Sequence, residues 1–229
     1  MIPLLRNYFA QHGTVIEELD VGHGRVDLCA YVCDQRRQPI SRPALRLFSK
    51  LANRYIDLNA LTFTLVASIP VLLQYARELE RHGLIQRTGT RVRRVRSYRY
   101  PVRKLIAVEA KLGDWQKACE QVSLHQPFAD ELWIALDVKN IARVDAEFIR
   151  QRGIGAIAVD KDGAFIMQSA AKNRWSRAFS VARAIVHESI LESQTSGRHD
   201  DSCIRAAGFT SIKPLDWRKD VALASQVRT

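Results

Sequence analysis

Three apolar runs most constrain what this chain can fold into: "KLIAVEAKL" at 104–112, "ELWIALDV" at 131–138 and "GIGAIAVD" at 153–160. Each is far shorter than the roughly 20 apolar residues that span a bilayer, and each reads as a strand. Segments of helical character separate them, "DWQKACEQVSLHQ" and "DAEFIRQRG", with Asp114 the expected N-cap of the first. A further strand, "GAFIMQSA", follows the third run across a "KDG" turn, and a long helix is expected over about 175–194. Strands alternating with helices imply an α/β core.

The chain opens on "PLLRNYFAQHG", a short helix by its apolar spacing, followed by "TVIEELDV" and "RVDLCAYV" joined through "GHG", the pattern of an antiparallel hairpin. At "DQRRQPISRP" the pattern breaks into polar residues and two prolines, a linker. Then "ALRLFSKLANRYI", "DLNALTFTLVA" and "SIPVLLQYARELERHGLI" read as three successive helices. Ser68 is placed to cap the third, Pro70 suits its first turn, and Gly83 follows its last. "LIQR", a "TGT" turn and "RVRRVRSYRY" then read as a two-stranded basic hairpin. The expected organisation is a core in two parts, 1–37 and 102–194, an inserted helical domain at 38–101, and a weakly patterned extension at 195–229.

The net charge is +11, and eight of the 35 basic residues fall between Leu84 and Lys104 with no acid among them. Such a concentration marks contact with a polyanion. Arg87, Arg91, Arg93, Arg94, Arg96 and Arg99 are the candidate nucleic-acid ligands. Three helices followed by a basic ribbon resemble a winged helix-turn-helix, and "ARELERHGLIQRTG" carries the specific part of that resemblance. The first turn of its third helix, "SIPVLL", is apolar where groove readers present polar side chains to base edges. The block therefore suits backbone clamping through the ribbon, or docking of a second copy or another protein.

Residues two apart on a strand share a face, so Glu109 and Lys111 point together while Val108 and Ala110 point into apolar packing. Asp27 is a lone acid on the apolar strand "RVDLCAYV". A carboxylate there is costly unless solvated, paired or bound to a metal. Two acids and a lysine converging at strand ends would suit a hard divalent cation, Mg²⁺ or Mn²⁺.

This arrangement resembles the PD-(D/E)XK nuclease superfamily: Asp27 matches the first acid, Glu109-Ala110-Lys111 the ExK element, and the helix bearing Gln121 follows. Val26 stands where the family has Pro, and His125 where some branches have Tyr. The resemblance implies a restriction-endonuclease-like mixed sheet flanked by helices, with the winged-helix-like block inserted between Asp27 and Glu109. It also implies metal-dependent phosphodiester hydrolysis. Asp27, Glu109 and the Ala110 carbonyl would hold the metal, with Glu17 as a third acid. Lys111 would act on the water, and Gln121 would support the site. The expected activity is a DNA endonuclease; the alternative is a non-catalytic DNA-binding or partner-recruiting protein on the same core. The six histidines form no spaced metal pair and read as structural or surface residues. Cys29, Cys33, Cys119 and Cys203 form no CxxC pair, which supports neither a zinc site nor a disulfide framework. No signal-peptide layout opens the chain, so a cytoplasmic location without membrane contact is expected.

Overall fold

The computed structural model describes residues 1–22, 24–33, 37–173 and 179–195. Along the chain run α1 (Ile2–Ala10), β1 (Thr14–Asp20), β2 (Arg25–Cys33), α2 (Arg42–Lys50) and β3 (Ile56–Asp57). A 3-10 turn (Leu58–Leu61), α3 (Thr62–Leu65), α4 (Ile69–Arg81), β4 (Ile85–Thr88) and β5 (Arg91–Arg94) follow. The remainder is β6 (Val102–Lys111), α5 (Trp115–Ser123), β7 (Glu131–Asp137), α6 (Val138–Ile141), α7 (Ala146–Gln151), β8 (Ile154–Val159), β9 (Ala164–Gln168) and α8 (Val181–Thr195).

The three apolar runs are the parallel strands β6, β7 and β8 of a mixed six-stranded sheet in the order β1-β2-β6-β7-β8-β9. The outer pairs β1/β2 and β8/β9 are antiparallel. Alternation sends Val108 and Ala110 to one face of the sheet, where Leu5 and Phe9 of α1 pack with Leu28, Ile106 and Trp133. On the other face α5 covers β7, burying Ala118, Cys119 and Val122. Asp114 caps α5 as expected, accepting from Lys117 N at 2.9 Å. Gly155 sits beside Trp133 in the β7/β8 ladder, and a Cβ there would stand 2.4 Å from the indole. The sheet can hold that large ring only because the neighbouring position has no side chain. The fold is thus α/β, a mixed sheet flanked by helices.

The chain leaves this sheet at the end of β2, returns on the neighbouring strand β6, and builds a second unit in between. The second unit packs α2, α4 and a small sheet, β3-β5-β4, around Leu45, Phe48, Leu72, Leu79 and Val92. Helix α4 ends in a Schellman arrangement. Leu84 N donates to Leu79 O, Gly83 N donates to Glu80 O, and Gly83 takes φ +66°, which glycine adopts without strain. Ser68 occupies the N-cap position of α4, but its side chain makes no capping bond.

Tertiary pairing corrects two of the expected helices. The helix expected over 44–56 stops at Lys50, because Arg94 N donates to Ala52 O and Ile56–Asp57 pairs with β5 as a strand. The helix expected over 57–67 is a 3-10 turn plus one helical turn, closed by Val66 in the left-handed conformation (φ 50°, ψ 49°). Such backbone is costly for a β-branched residue.

The expected boundary at 194 also moves, since α8 belongs to the helical unit rather than to the six-stranded sheet. Its Ala184 is part of that unit's core, with Val181 and Ile185 packed against it. Glu188, 2% exposed, accepts from Tyr98 Oη, from Ile40 N at 2.8 Å and from the Arg37 guanidinium. The expected extension beyond Thr195, with Cys203 and His199, lies outside the described residues, as does His23.

Joining Asp34 to Arg103 through a short Gly/Ser linker removes most of the helical unit but strands α8 with its apolar residues uncovered. That product is expected to unfold without a cooperative transition in calorimetry, whereas also ending the chain at Asn173 restores one. Equal cooperativity in the two truncations would detach α8 from the helical unit.

Candidate active site

Asp27 lies near the start of β2, and Glu109 and Lys111 near the end of β6. The structure brings the three together on the α5 face. Asp27 Oδ2 accepts from Ala110 N at 2.9 Å, which ties the acid to the strand carrying the other two. Lys111 Nζ lies 3.3 Å from Asp27 Oδ2 and 3.5 Å from Glu109 Oε2. Glu109 is 2% exposed, and a buried carboxylate needs both a counter-charge and hydrogen bonds. Lys111 supplies the first. His125 supplies a hydrogen bond, its Nε2 standing 2.8 Å from Glu109 Oε1. The field of Glu109 reaches Cys29 on the same face of β2, where burial first and that carboxylate second push the thiol pKa well above its ordinary range. This keeps Cys29 a neutral filler rather than a nucleophile.

From the sequence alone His125 reads as a structural or surface histidine. The signal that could have found it is its spacing: it follows Gln121 by four residues, one helical turn, on the segment after β6. Two buried atoms have no hydrogen-bond partner among the described residues: His125 Nδ1, on the ring that meets Glu109, and Gln121 Oε1, on α5. Gln121 is not hydrogen-bonded to Asp27, Glu109 or Lys111. Buried polar atoms without partners are rare in folded proteins, and each invites a ligand or water.

Glu17 does not join the cluster. It stands opposite Leu28 in the β1/β2 ladder, so it emerges on the α1 face, away from Asp27, where it pairs with Arg6 at 3.5 Å. Parity along β2 separates the two acids.

The oxygens of Asp27 and Glu109, with the Ala110 carbonyl on the same strand, are the hard donors of this site. Among the described residues no three His, Cys, Asp or Glu side chains group at metal-ligating spacing. Two carboxylates plus water is nevertheless an ordinary donor set for Mg²⁺, which keeps much of its hydration shell. Ala110 N and Lys111 Nζ both meet Asp27 at its Oδ2, so the donor set fits such an ion.

The six candidate arginines divide by what they touch. Arg94 donates to Phe48 O at 2.7 and 3.0 Å, and its guanidinium lies 4.4 Å from the Phe48 ring. Arg87 pairs with Glu80 at 3.3 Å. These two hold the helical unit together. Arg91 and Arg93 flank the Tyr55 ring at 5.5 and 5.0 Å, Arg93 also bonding Gln86. Arg96 and Arg99 are exposed and have no acidic partner among the described residues.

No protein-family description and no curated protein matches the chain. Among solved structures, a protein of unknown function from Silicibacter pomeroyi aligns over 86% of this chain and 84% of its own, at 12% identity and a TM-score of 0.43. At that level the likeness carries no functional information. No single helix among the described residues is long and apolar enough to cross a membrane.

Proposed function

We propose that this protein is a metal-dependent nuclease of the PD-(D/E)XK kind that hydrolyses phosphodiester bonds in nucleic acid, DNA foremost, with the helical unit as a winged-helix-like substrate-binding module. The observation that carries the reading is Lys111 Nζ standing between the Asp27 and Glu109 carboxylates at 3.3 and 3.5 Å. Asp27, Glu109 and the Ala110 carbonyl would hold Mg²⁺ or Mn²⁺. Bound there, the ion supplies Lewis-acid stabilisation of charge on the scissile phosphate and activation of water. Lys111 holds both acids together, and it presents a cation to a phosphoryl oxygen or to the attacking water. His125 fixes the rotamer of Glu109 so that its second oxygen turns to Lys111. Gln121 offers its unpaired oxygen to the site or the substrate.

The test is cleavage of single- and double-stranded DNA and RNA by the purified protein, with Mg²⁺, with Mn²⁺ and with chelator. Salt-sensitive DNA binding with no cleavage under any condition would instead select a non-catalytic DNA-binding protein on the same core.

The basic hairpin sets the affinity in this reading. Replacing Arg91 and Arg93 with Ala is expected to weaken binding to all sequences alike and to flatten the log–log salt dependence by about 0.9 per lost phosphate contact on duplex DNA. An unchanged slope would remove the hairpin from the interface.

A further inference from the structure

We propose that the helical unit carries a second ligand site, a pocket that takes the phosphate monoester of a nucleotide, either free or at the end of a strand. A cavity of about 530 Å³ opens in this unit beside Arg37, His82, Leu84, Arg96, Tyr98 and Arg99. That volume lies in the range of small-ligand pockets, roughly 300–1,000 Å³. One wall is locked in place. Arg37 Nη1 donates to Glu188 Oε2 at 2.9 Å and to Gln38 O at 2.9 Å, and Nη2 donates to Glu188 Oε1. The guanidinium also stands 5.8 Å from the Tyr98 ring, whose hydroxyl donates to the same carboxylate.

Glu188 therefore cancels the charge of Arg37 while fixing its plane. Three of the five guanidinium N–H groups go to Gln38 O and Glu188, and the guanidinium also interacts with Tyr98. Burial first and the Arg37 charge second hold His82 below its ordinary pKa, so its ring brings hydrogen bonding rather than a cation. Arg96 and Arg99 are then the surplus: two exposed cations, on either side of Ser97, with no acid to meet them among the described residues.

A surplus of two positive charges over an oriented guanidinium matches a phosphate monoester, which carries about −1.5 to −2 near neutral pH. An internal phosphodiester carries a single charge and needs chain on both sides of the phosphate. A recess walled by Leu84 and Tyr98 suits one phosphate with one nucleoside attached. The strand-end form of this proposal rests on the nucleic-acid reading above; the preference for a monoester does not.

The test uses the full chain in chelator, with an internally labelled oligodeoxynucleotide carrying a phosphate at its 5′ end, at its 3′ end or at neither, read by fluorescence anisotropy. Thymidine monophosphate and inorganic phosphate serve as competitors. A phosphorylated end is expected to bind about tenfold tighter than a hydroxyl end, and the preference is expected to vanish in Arg96→Gln/Arg99→Gln. Competition by thymidine monophosphate without an end preference supports the pocket and makes the free nucleotide its ligand. Equal affinity for all ends with no competition overturns the proposal, as does a preference that survives the double substitution. The outcome is separable from the nuclease reading: an end preference in a protein that never cleaves sinks the nuclease alone, and metal-dependent cleavage without any monoester binding sinks the pocket alone.

Discussion

Asp27→Asn and Lys111→Ala are each expected to lower metal-dependent cleavage by on the order of a hundred- to thousandfold, the usual cost of removing one group that stabilises transition-state charge. The fold and DNA binding should survive both changes, since the two side chains are only partly buried, at 25% exposure each. The two variants fail differently. Asp27→Asn keeps the side chain's shape and its hydrogen bond from Ala110 N but removes a metal-binding charge, so excess Mn²⁺ is expected to restore part of its activity. Lys111→Ala leaves two carboxylates facing each other, so metal binding is retained while turnover is lost. Single-turnover cleavage across a metal titration checks both. Wild-type rates in either variant would remove Asp27, Glu109 and Lys111 from the chemistry and reduce the cluster to a structural ion pair.

The second large effect is on stability. Glu188→Ala strips a buried carboxylate from Arg37, Tyr98 and Ile40 N together. Breaking a buried charge pair by deleting one member costs about 3–5 kcal/mol. In a chain of this size that lowers the melting temperature by on the order of 10 °C. Glu188→Gln, which keeps the acceptor oxygen, is expected to fall between the two. Calorimetry or thermal circular dichroism reads the shift. A variant that melts with the wild type would mean that α8 is not held through this carboxylate.

The pattern at β6 shows how much of the site was legible in the sequence. An apolar strand admits charge at Glu109 and Lys111 only where something offsets it, and strict alternation puts the two on one face. Asp27 was legible for the same reason, as the lone acid of an apolar strand. Glu17 failed by a single step of parity: its partner across the hairpin is Leu28, not Asp27, and register between strands is not readable from either strand alone. His125 lies beyond the end of α5, and its bond to Glu109 depends on where α5 lands across the sheet. Of the basic residues, composition located the cluster but not its division of labour. Arg94 looks like its neighbours in sequence, yet it is consumed by the Phe48 carbonyl and ring.

The features that could be read along the chain are local. They are the α/β alternation, the β1/β2 hairpin, the Asp114 cap, the Gly83 stop and the faces on which the charges of β6 emerge, all set by interactions spanning a few residues. The tertiary structure alone decided which unit owns α8, that residues 56–57 become a strand rather than more helix, and which oxygens Lys111 reaches. These are long-range matters. Glu188 finds Arg37 across 151 positions and Lys111 finds Asp27 across 84, and such pairings follow from packing of whole elements, which no short window of sequence encodes.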